Sequence, residues 1–467
     1  MDRINGNYHS ILGRINGNLL SLSKLTLKMT SKMYFKRRID NELIAWTKDE
    51  NRKPLLLRGA RQVGKSSAVR NLSKQFTYFI EINFENFNEI KEVFNGNLFP
   101  KEICKNISAI VGIPIIPGKT LLFFDEIQAC IPAISSLRFF YEQYPELHLI
   151  AAGSLLEFAL EELPSFGVGR IRSMFVYPFS FNDFLTAKGE NLLLEAKLNA
   201  SSIKPLHEAV HNKTINLLKQ FLVTGGMPEV VSEYIRTNDF LKCQQILDDL
   251  IISLKDDFSK YKKRVPSARI LEVFNAIIEQ QGQKFIYNKV GEEFNHKQIK
   301  EAVDLLIMAG LVIPVIHTSA NGIPLGAELN HKMRKLLILD TGIFQRQLGL
   351  KISDILLVNN FEVINKGCIA ELYAGLELLK SGSCYESKQL YYWHRENPKS
   401  NAEVDYVIQK EEQIIPIEVK SGTKGSMQSM YVFLNEKKSN KGIRTSLENF
   451  GMIEKIDIVP LYSISEI

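Results

Sequence analysis

The segment Gly59-Ala-Arg-Gln-Val-Gly64-Lys65-Ser66 constrains this chain more than any other. It fits G-x-x-x-x-G-K-[ST] and stands between an apolar run, Leu55-Leu56-Leu57, and a helical pattern with Ala68, Val69, Leu72 and Phe76 on one face. Strand, glycine turn and helix in that order form the first unit of an α/β sheet. Glycines let the backbone curl so that its N–H groups face phosphate oxygens, and the helix N-terminus adds a positive dipole. Lys65 would reach the terminal phosphates and the Ser66 hydroxyl would ligate Mg2+. The candidate nucleotide contacts are therefore Gly59, Ala60, Arg61, Gln62, Val63, Gly64, Lys65, Ser66 and Ser67.

Such a loop needs an acidic partner for the metal and a group to orient the attacking water. Leu121-Leu122-Phe123-Phe124-Asp125-Glu126 supplies a buried strand ending in two carboxylates. Asp125 would hold the metal through water, and Glu126 stands where a general base would polarise the lytic water. The next apolar run, Leu147 to Ala152, ends at Gly153-Ser154, which makes Ser154 a candidate sensor of the γ-phosphate. With Tyr78 to Phe84, these runs alternate with helical patterns up to about Pro178, an α/β signature.

At 467 residues the chain is long enough for several domains, and 45% hydrophobic with 24% charged residues excludes a disordered or collagenous chain. A net charge of +6 permits contact with nucleic acid but is too dilute to demand it. Five scattered cysteines, with no C-x-x-C pair, suggest reduced thiols, and no apolar run is long enough to cross a bilayer. A cytoplasmic location and no membrane partner are the expectations. The polar N-terminus repeats Arg3-Ile-Asn-Gly-Asn7 as Arg14-Ile-Asn-Gly-Asn18, and reads as an extended arm or a start codon placed too early.

The motifs Gly59-Ala-Arg-Gln-Val-Gly-Lys, Phe124-Asp-Glu-Ile-Gln128, Ala152-Gly-Ser-Leu-Leu156 and Gly169-Arg170 to Tyr177-Pro-Phe-Ser resemble those of a large bacterial and archaeal group of AAA-type ATPases. The resemblance implies ATP as the nucleotide, an ATPase domain, a helical and winged-helix middle, and a C-terminal domain similar to restriction endonucleases. It also makes Arg170 a candidate arginine finger or sensor. The divisions expected are an arm over 1–33, the P-loop ATPase domain over 34–185, a helical region over 186–264, a winged-helix-like domain over 265–345 and a restriction-endonuclease-like α/β domain over 346–467.

Three further patterns bear on chemistry. His207-Glu208-Ala-Val-His211 matches HExxH, and Glu233 could serve as a distant third zinc ligand. The segment nevertheless lies among Lys204, Asn212 and Lys213 without a pocket of its own, so it reads as an exposed helix face without zinc. Between Ser267 and Ile316, three helices and a strand describe a winged helix, with His296, Lys297, Gln298 and Lys300 at the head of the third helix. Such helices meet DNA phosphates or base edges, but winged helices also serve as packing modules.

Ala402-Glu403-Val404-Asp405 followed by Ile417-Glu418-Val419-Lys420-Ser421-Gly422 resembles the PD-(D/E)xK nuclease core, with Glu371 on the preceding helix as its extra acidic residue. Asp405 and Glu418 would then hold a second Mg2+ or a Mn2+ ion, with Lys420 on the same side. Two readings stay open. One is an ATP-hydrolysing enzyme acting on DNA or RNA; the other is an ATP-gated switch whose winged-helix and inactive nuclease-like domains bind a partner without cleavage. A homo-oligomer fits either.

Overall fold

The apolar runs on both sides of the glycine-rich loop form one sheet. In this computed structural model, which describes residues 33–154, 156–161, 169–261, 264–349, 366–395, 401–422 and 425–467, strands β1 (Leu55–Arg58), β2 (Tyr78–Asn83), β3 (Thr120–Asp125), β4 (His148–Ala152) and β5 (Arg172–Phe175) are all parallel, in the order β2-β3-β4-β1-β5. Every residue of β3 and β4 is buried, as both faces of a parallel sheet must be. Helices α1 (Arg38–Lys48), α2 (Lys65–Leu72), α3 (Asn88–Lys91), α4 (Pro100–Val111), α5 (Ile131–Gln143) and α6 (Leu156–Glu161) accompany it. Phe84, Phe94, Phe124 and Phe140 meet edge to face within the core. Strand β5, Arg-Ser-Met-Phe, has no apolar run and is invisible to periodicity; its hydrogen-bonding to β1 is what makes it a strand. The arm expected over 1–33 lies outside the described residues except for Met33.

Helices α7 (Phe181–Ala187), α8 (Asn191–Leu198), α9 (Glu208–Thr224), α10 (Pro228–Thr237) and α11 (Phe240–Asp256) make the helical region. There follow α12 (Ser267–Glu279), a 3-10 turn at Tyr287–Lys289 where a second helix was expected, and α13 (His296–Met308). Strands β6 (Val312–Thr318) and β7 (Leu329–Ile338) then form an antiparallel hairpin, followed by α14 (Thr341–Gln347).

That hairpin packs on α12 and α13, with the Phe285 N–H donating to the Arg334 carbonyl at 2.9 Å, and it also extends beyond them. It joins β8 (Leu390–His394), β9 (Glu403–Lys410), β10 (Gln413–Val419), β11 (Gly442–Ser446), β12 (Gly451–Ile453) and β13 (Ile456–Pro460) in one mixed sheet, ordered β12-β13-β11-β10-β9-β8-β6-β7. The link is parallel pairing of β6 with β8, Val315 opposite Leu390. One sheet therefore runs across the division expected at 345, because the backbone edge of β6 is completed by a strand far along the chain. Helix α15 (Lys366–Ser381) and α16 (Gln428–Glu436) pack against this sheet.

The two sheets are tied together. Phe175 N–H donates to the Cys384 carbonyl at 2.7 Å, Phe181 N–H to Glu377 on α15 at 3.1 Å, and Lys380 Nζ to the Phe179 carbonyl at 2.9 Å. A second tie is Asp340, whose buried carboxylate accepts the N–H groups of Gly226 (2.6 Å), Gly342 (2.9 Å) and Ile343 (3.1 Å). This caps α14 and holds the turn between α9 and α10, where Gly226 lies too close to the Phe179 carbonyl for any Cβ. Asp340→Ala leaves these buried donors unpaired and should lower unfolding stability by about 2–4 kcal/mol, read as an earlier urea midpoint. An unchanged midpoint would show that the staple is dispensable.

Candidate functional site

The loop after β1 is held by backbone geometry that its glycines permit. Gly59 has φ +138° and lies against the Val176 carbonyl, where a Cβ would collide; Gly64, at φ +90°, caps α2 in a left-handed conformation. Arg37, buried just before α1, props the loop from behind: its Nη1 donates to the carbonyls of Val63 (3.0 Å) and Tyr177 (3.2 Å). Nothing in the sequence around Arg37 signals this role.

Lys65 is buried, and its ammonium donates to the Gly59 and Ala60 carbonyls at 2.9 and 2.7 Å. Burial pulls its pKa down to about 8, against the opposing pull of Glu126 and Asp125. The Ser66 hydroxyl lies 3.0 and 3.1 Å from the two oxygens of Asp125, so hydroxyl and carboxylate already face one point, as joint contact with a magnesium ion requires. Burial pushes the Asp125 carboxyl up, partly offset by the Ser66 hydrogen bond. Mg2+-ATP thus meets a cradle, a cation and a hydroxyl–carboxylate pair that fit it.

Glu126 follows in a left-handed conformation, φ 49° and ψ 45°, uncommon for a residue with a side chain. Its carboxylate accepts from Gln128 Nε2 at 2.6 Å and from the Ser154 hydroxyl at 3.3 Å. The amide of Gln128 is wedged against Gly153, where a Cβ would collide with it. Gly59 to Ser66, Asp125, Glu126 and Ser154 are thus gathered in one place, and Gln128 is an addition. The side chain of Ser67, next along α2, is exposed, which leaves its backbone N–H as the group it can offer a phosphate.

Arg170 lies elsewhere. It is exposed, pairs with Glu142 of α5, and precedes β5, whose first residue Arg172 sits beside Leu55, the first residue of β1. That is the opposite end of the parallel strands from the loop, so the structure does not bring Arg170 to the loop of its own chain.

The middle of the chain touches the loop directly. Arg61 forms an ion pair with the buried Asp257 beyond α11. Gly310, between α13 and β6, lies so close that a Cβ there would stand 3.1 Å from the Ala60 nitrogen. A Cβ on Gly64 would stand 3.4 Å from Pro228. Only long-range packing creates these contacts.

His207 and His211 do not form a pair of ligands. His207 Nδ1 accepts from the Ala209 N–H at the start of α9, while both ring nitrogens of His211 are engaged, by Tyr462 Oη (2.8 Å) and the Leu447 carbonyl (3.2 Å). At the head of α13, His296 stacks on Tyr287 and Lys297 and Lys300 are exposed.

The C-terminal carboxylates gather around a residue the motif does not contain. Glu418 on β10 pairs with Lys420 at 2.6 Å, and Asp405 on β9 accepts the Val419 N–H at 2.8 Å. Glu371 on α15 and Glu403 on β9 instead meet Lys335 of β7, at 2.8 and 2.6 Å, with Asp405 at 3.8 Å from the same ammonium. Burial alone would lower the pKa of Lys335, but Glu371, Asp405 and Glu403 together raise it well above the ordinary value. Burial pushes Glu371 up to about 8 although Lys335 opposes it, and pushes Glu418 up to about 7 with Asp405 adding to the rise. Three carboxylates around one ammonium carry excess negative charge, which explains how both directions hold in one cluster.

The parallel sheet with its phosphate loop after β1 and acidic pair after β3 is the P-loop ATPase fold. Residues 51–185 match the family model of the AAA domain, so the chain carries an AAA-type ATPase domain. Residues 215–354 and 366–464 match two models described as domains of unknown function, DUF8612 and DUF4143. No curated protein matches the chain. Among solved structures, it is similar to the Walker-type ATPase PABY2304 of Pyrococcus abyssi at 17% identity, covering 68% of this chain and 96% of that one with TM-score 0.45. It is also similar to the Aeropyrum pernix ORC1 protein in complex with DNA at 11% identity, covering 69% and 94% with TM-score 0.28. A third is Drosophila ORC bound to DNA at 15% identity, covering 71% and 92% with TM-score 0.27. At these scores the likenesses do not extend to function. Among the described residues no helix is long and apolar enough to cross a membrane.

The depressed Lys65 fixes a pH dependence. Bound phosphate would raise its pKa, so affinity is full while the unliganded lysine is protonated and falls as pH rises through about 8. ATP affinity measured by calorimetry should drop roughly tenfold between about pH 7 and pH 9. A flat profile would remove Lys65 from phosphate binding.

Proposed function

We propose that the chain is an ATP-driven switch: it hydrolyses Mg2+-ATP in the AAA domain and passes the nucleotide state to the regions packed on the phosphate loop. The observation that carries this is the direct seating of the middle region on the loop, through Arg61 with Asp257 and Ala60 with Gly310. A loop that rearranges around phosphate cannot leave these contacts untouched.

In this reading Gly59 to Ser67 cradle the phosphates, and Lys65 leaves the Gly59 and Ala60 carbonyls for phosphate oxygens. Ser66 and Asp125 hold the magnesium, which when bound neutralises charge on the transferred phosphoryl group. Glu126 takes the proton of the attacking water while Gln128 and Ser154 fix its carboxylate. Arg170, at the far end of the sheet, would act as a finger on a second copy of the chain, which makes a homo-oligomer the working assembly.

Glu126→Gln should retain ATP binding and lose turnover by roughly a hundredfold or more, since an amide cannot accept the proton. Undiminished phosphate release would move the base elsewhere. Asp257→Asn tests the switch itself. ATP should alter hydrogen exchange over α10 and α11 in the wild type and leave the variant unchanged, with ATP affinity within about threefold. An equal response in both would sever the proposed link.

A second reading, metal-dependent cleavage of DNA or RNA, is favoured by the meeting of Asp405, Glu418 and Lys420, with Glu371 reached through Lys335. Lys297 and Lys300 would then contact phosphates. The cation already among these carboxylates weighs against a Mg2+ or Mn2+ ion there, and the switch is the better reading.

A further inference from the structure

We infer that Lys335 is a built-in cation: its ammonium engages Glu371, Glu403 and Asp405, acids that a nuclease-like centre would need free for a divalent ion, and these carboxylates form a lysine-centred lock between the β6–β7 hairpin and the rest of the mixed sheet. The inference concerns the C-terminal region alone and stands whether or not the nucleotide assignments do.

Lys335 belongs to the edge strand β7, opposite Val315 of β6, which is opposite Leu390 of β8. Its side chain is 1% exposed, crosses the sheet over the Tyr392 ring at 5.3 Å, and ends against Glu371 of α15 and Glu403 of β9, with Asp405 beyond. Three elements that meet nowhere in the sequence thus share one ammonium. A divalent ion between Glu371 and Asp405 would need the volume and the lone pairs that this ammonium takes, and two cations at that separation repel strongly in a buried site.

The remaining acid, Glu418, shows what the lock leaves over. Its Oε1 pairs with Lys420, while its Oε2 is buried without a hydrogen-bond partner. An acceptor in that state is costly, and it lies beside Asp405, whose charge raises it further. The site therefore keeps a ligand-like oxygen while Glu371 and Asp405 are engaged from within by Lys335. Replacing the ammonium by an uncharged chain of similar length should release Glu371 and Asp405 to join Glu418 around a metal.

The test is Mn2+ titration of nucleotide-free protein, followed by electron paramagnetic resonance and by melting temperature. Wild type should bind no ion at this site and melt at the same temperature with and without Mn2+. Lys335→Met should melt lower, be restored by Mn2+, and bind one ion where wild type binds none, an ion lost again in Lys335→Met with Asp405→Asn. Wild type binding an ion that Asp405→Asn removes would overturn the inference, as would a folded Lys335→Met indifferent to Mn2+. If Lys335→Met does not fold, the wild-type titration decides alone. Because no nucleotide is present, failure here is distinct from failure of the ATP switch.

Discussion

The parallel pairing of β6 with β8 is the constraint on which the rest of the structure depends. A hairpin that packs on α12 and α13 is at the same time an extension of the C-terminal sheet. Its first strand starts just after Gly310, against the phosphate loop, and its second carries Lys335 into the carboxylate cluster. Cut that pairing and the loop contact, the hairpin and the lysine lose their fixed relation.

A contiguous path of packed groups follows: Ala60 to Gly310, along β6 to β7, and through Lys335 to Glu371 on α15. Helix α15 in turn returns to the AAA domain, where Glu377 accepts the Phe181 N–H and Lys380 donates to the Phe179 carbonyl. Such a closed circuit is stiff, because apart from the close packing of Gly310 on Ala60 each contact is either backbone hydrogen bonding or a buried charge with partners in hydrogen-bond reach. Stiff connections transmit a displacement at the phosphate loop instead of absorbing it, which suits a switch better than a set of tethered modules.

The two acidic centres show opposite solutions to the same electrostatic problem. At the nucleotide site Asp125 is shared with a hydroxyl, and Lys65 is parked on the loop's own carbonyls, where a bound phosphate can draw it away. In the C-terminal sheet a cation is supplied internally, by Lys335 against Glu371 and Glu403. Similar motifs on paper, two carboxylates at the ends of strands, thus lead to different chemistry because of a residue that neither motif contains.

The sequence alone determined what is local. The loop from Gly59 to Ser66, the strand ending in Asp125 and Glu126, and the helix break at Gly225-Gly226 depend on backbone torsions and short-range periodicity, which are written in neighbouring residues. Only the tertiary structure decided what lies across the chain. Lys335 reads as one charge in the basic run His331-Lys-Met-Arg-Lys335, and its burial comes from α15 and β9 closing over it. Arg37, Gln128, Asp257 and Gly310 are likewise ordinary residues until packing sets them against the loop or its glutamate. Strand β5 is a strand because β1 offers it an edge. Burial and pairing partners are properties of the folded neighbourhood, and no spacing along one chain encodes which distant residue will supply the missing charge.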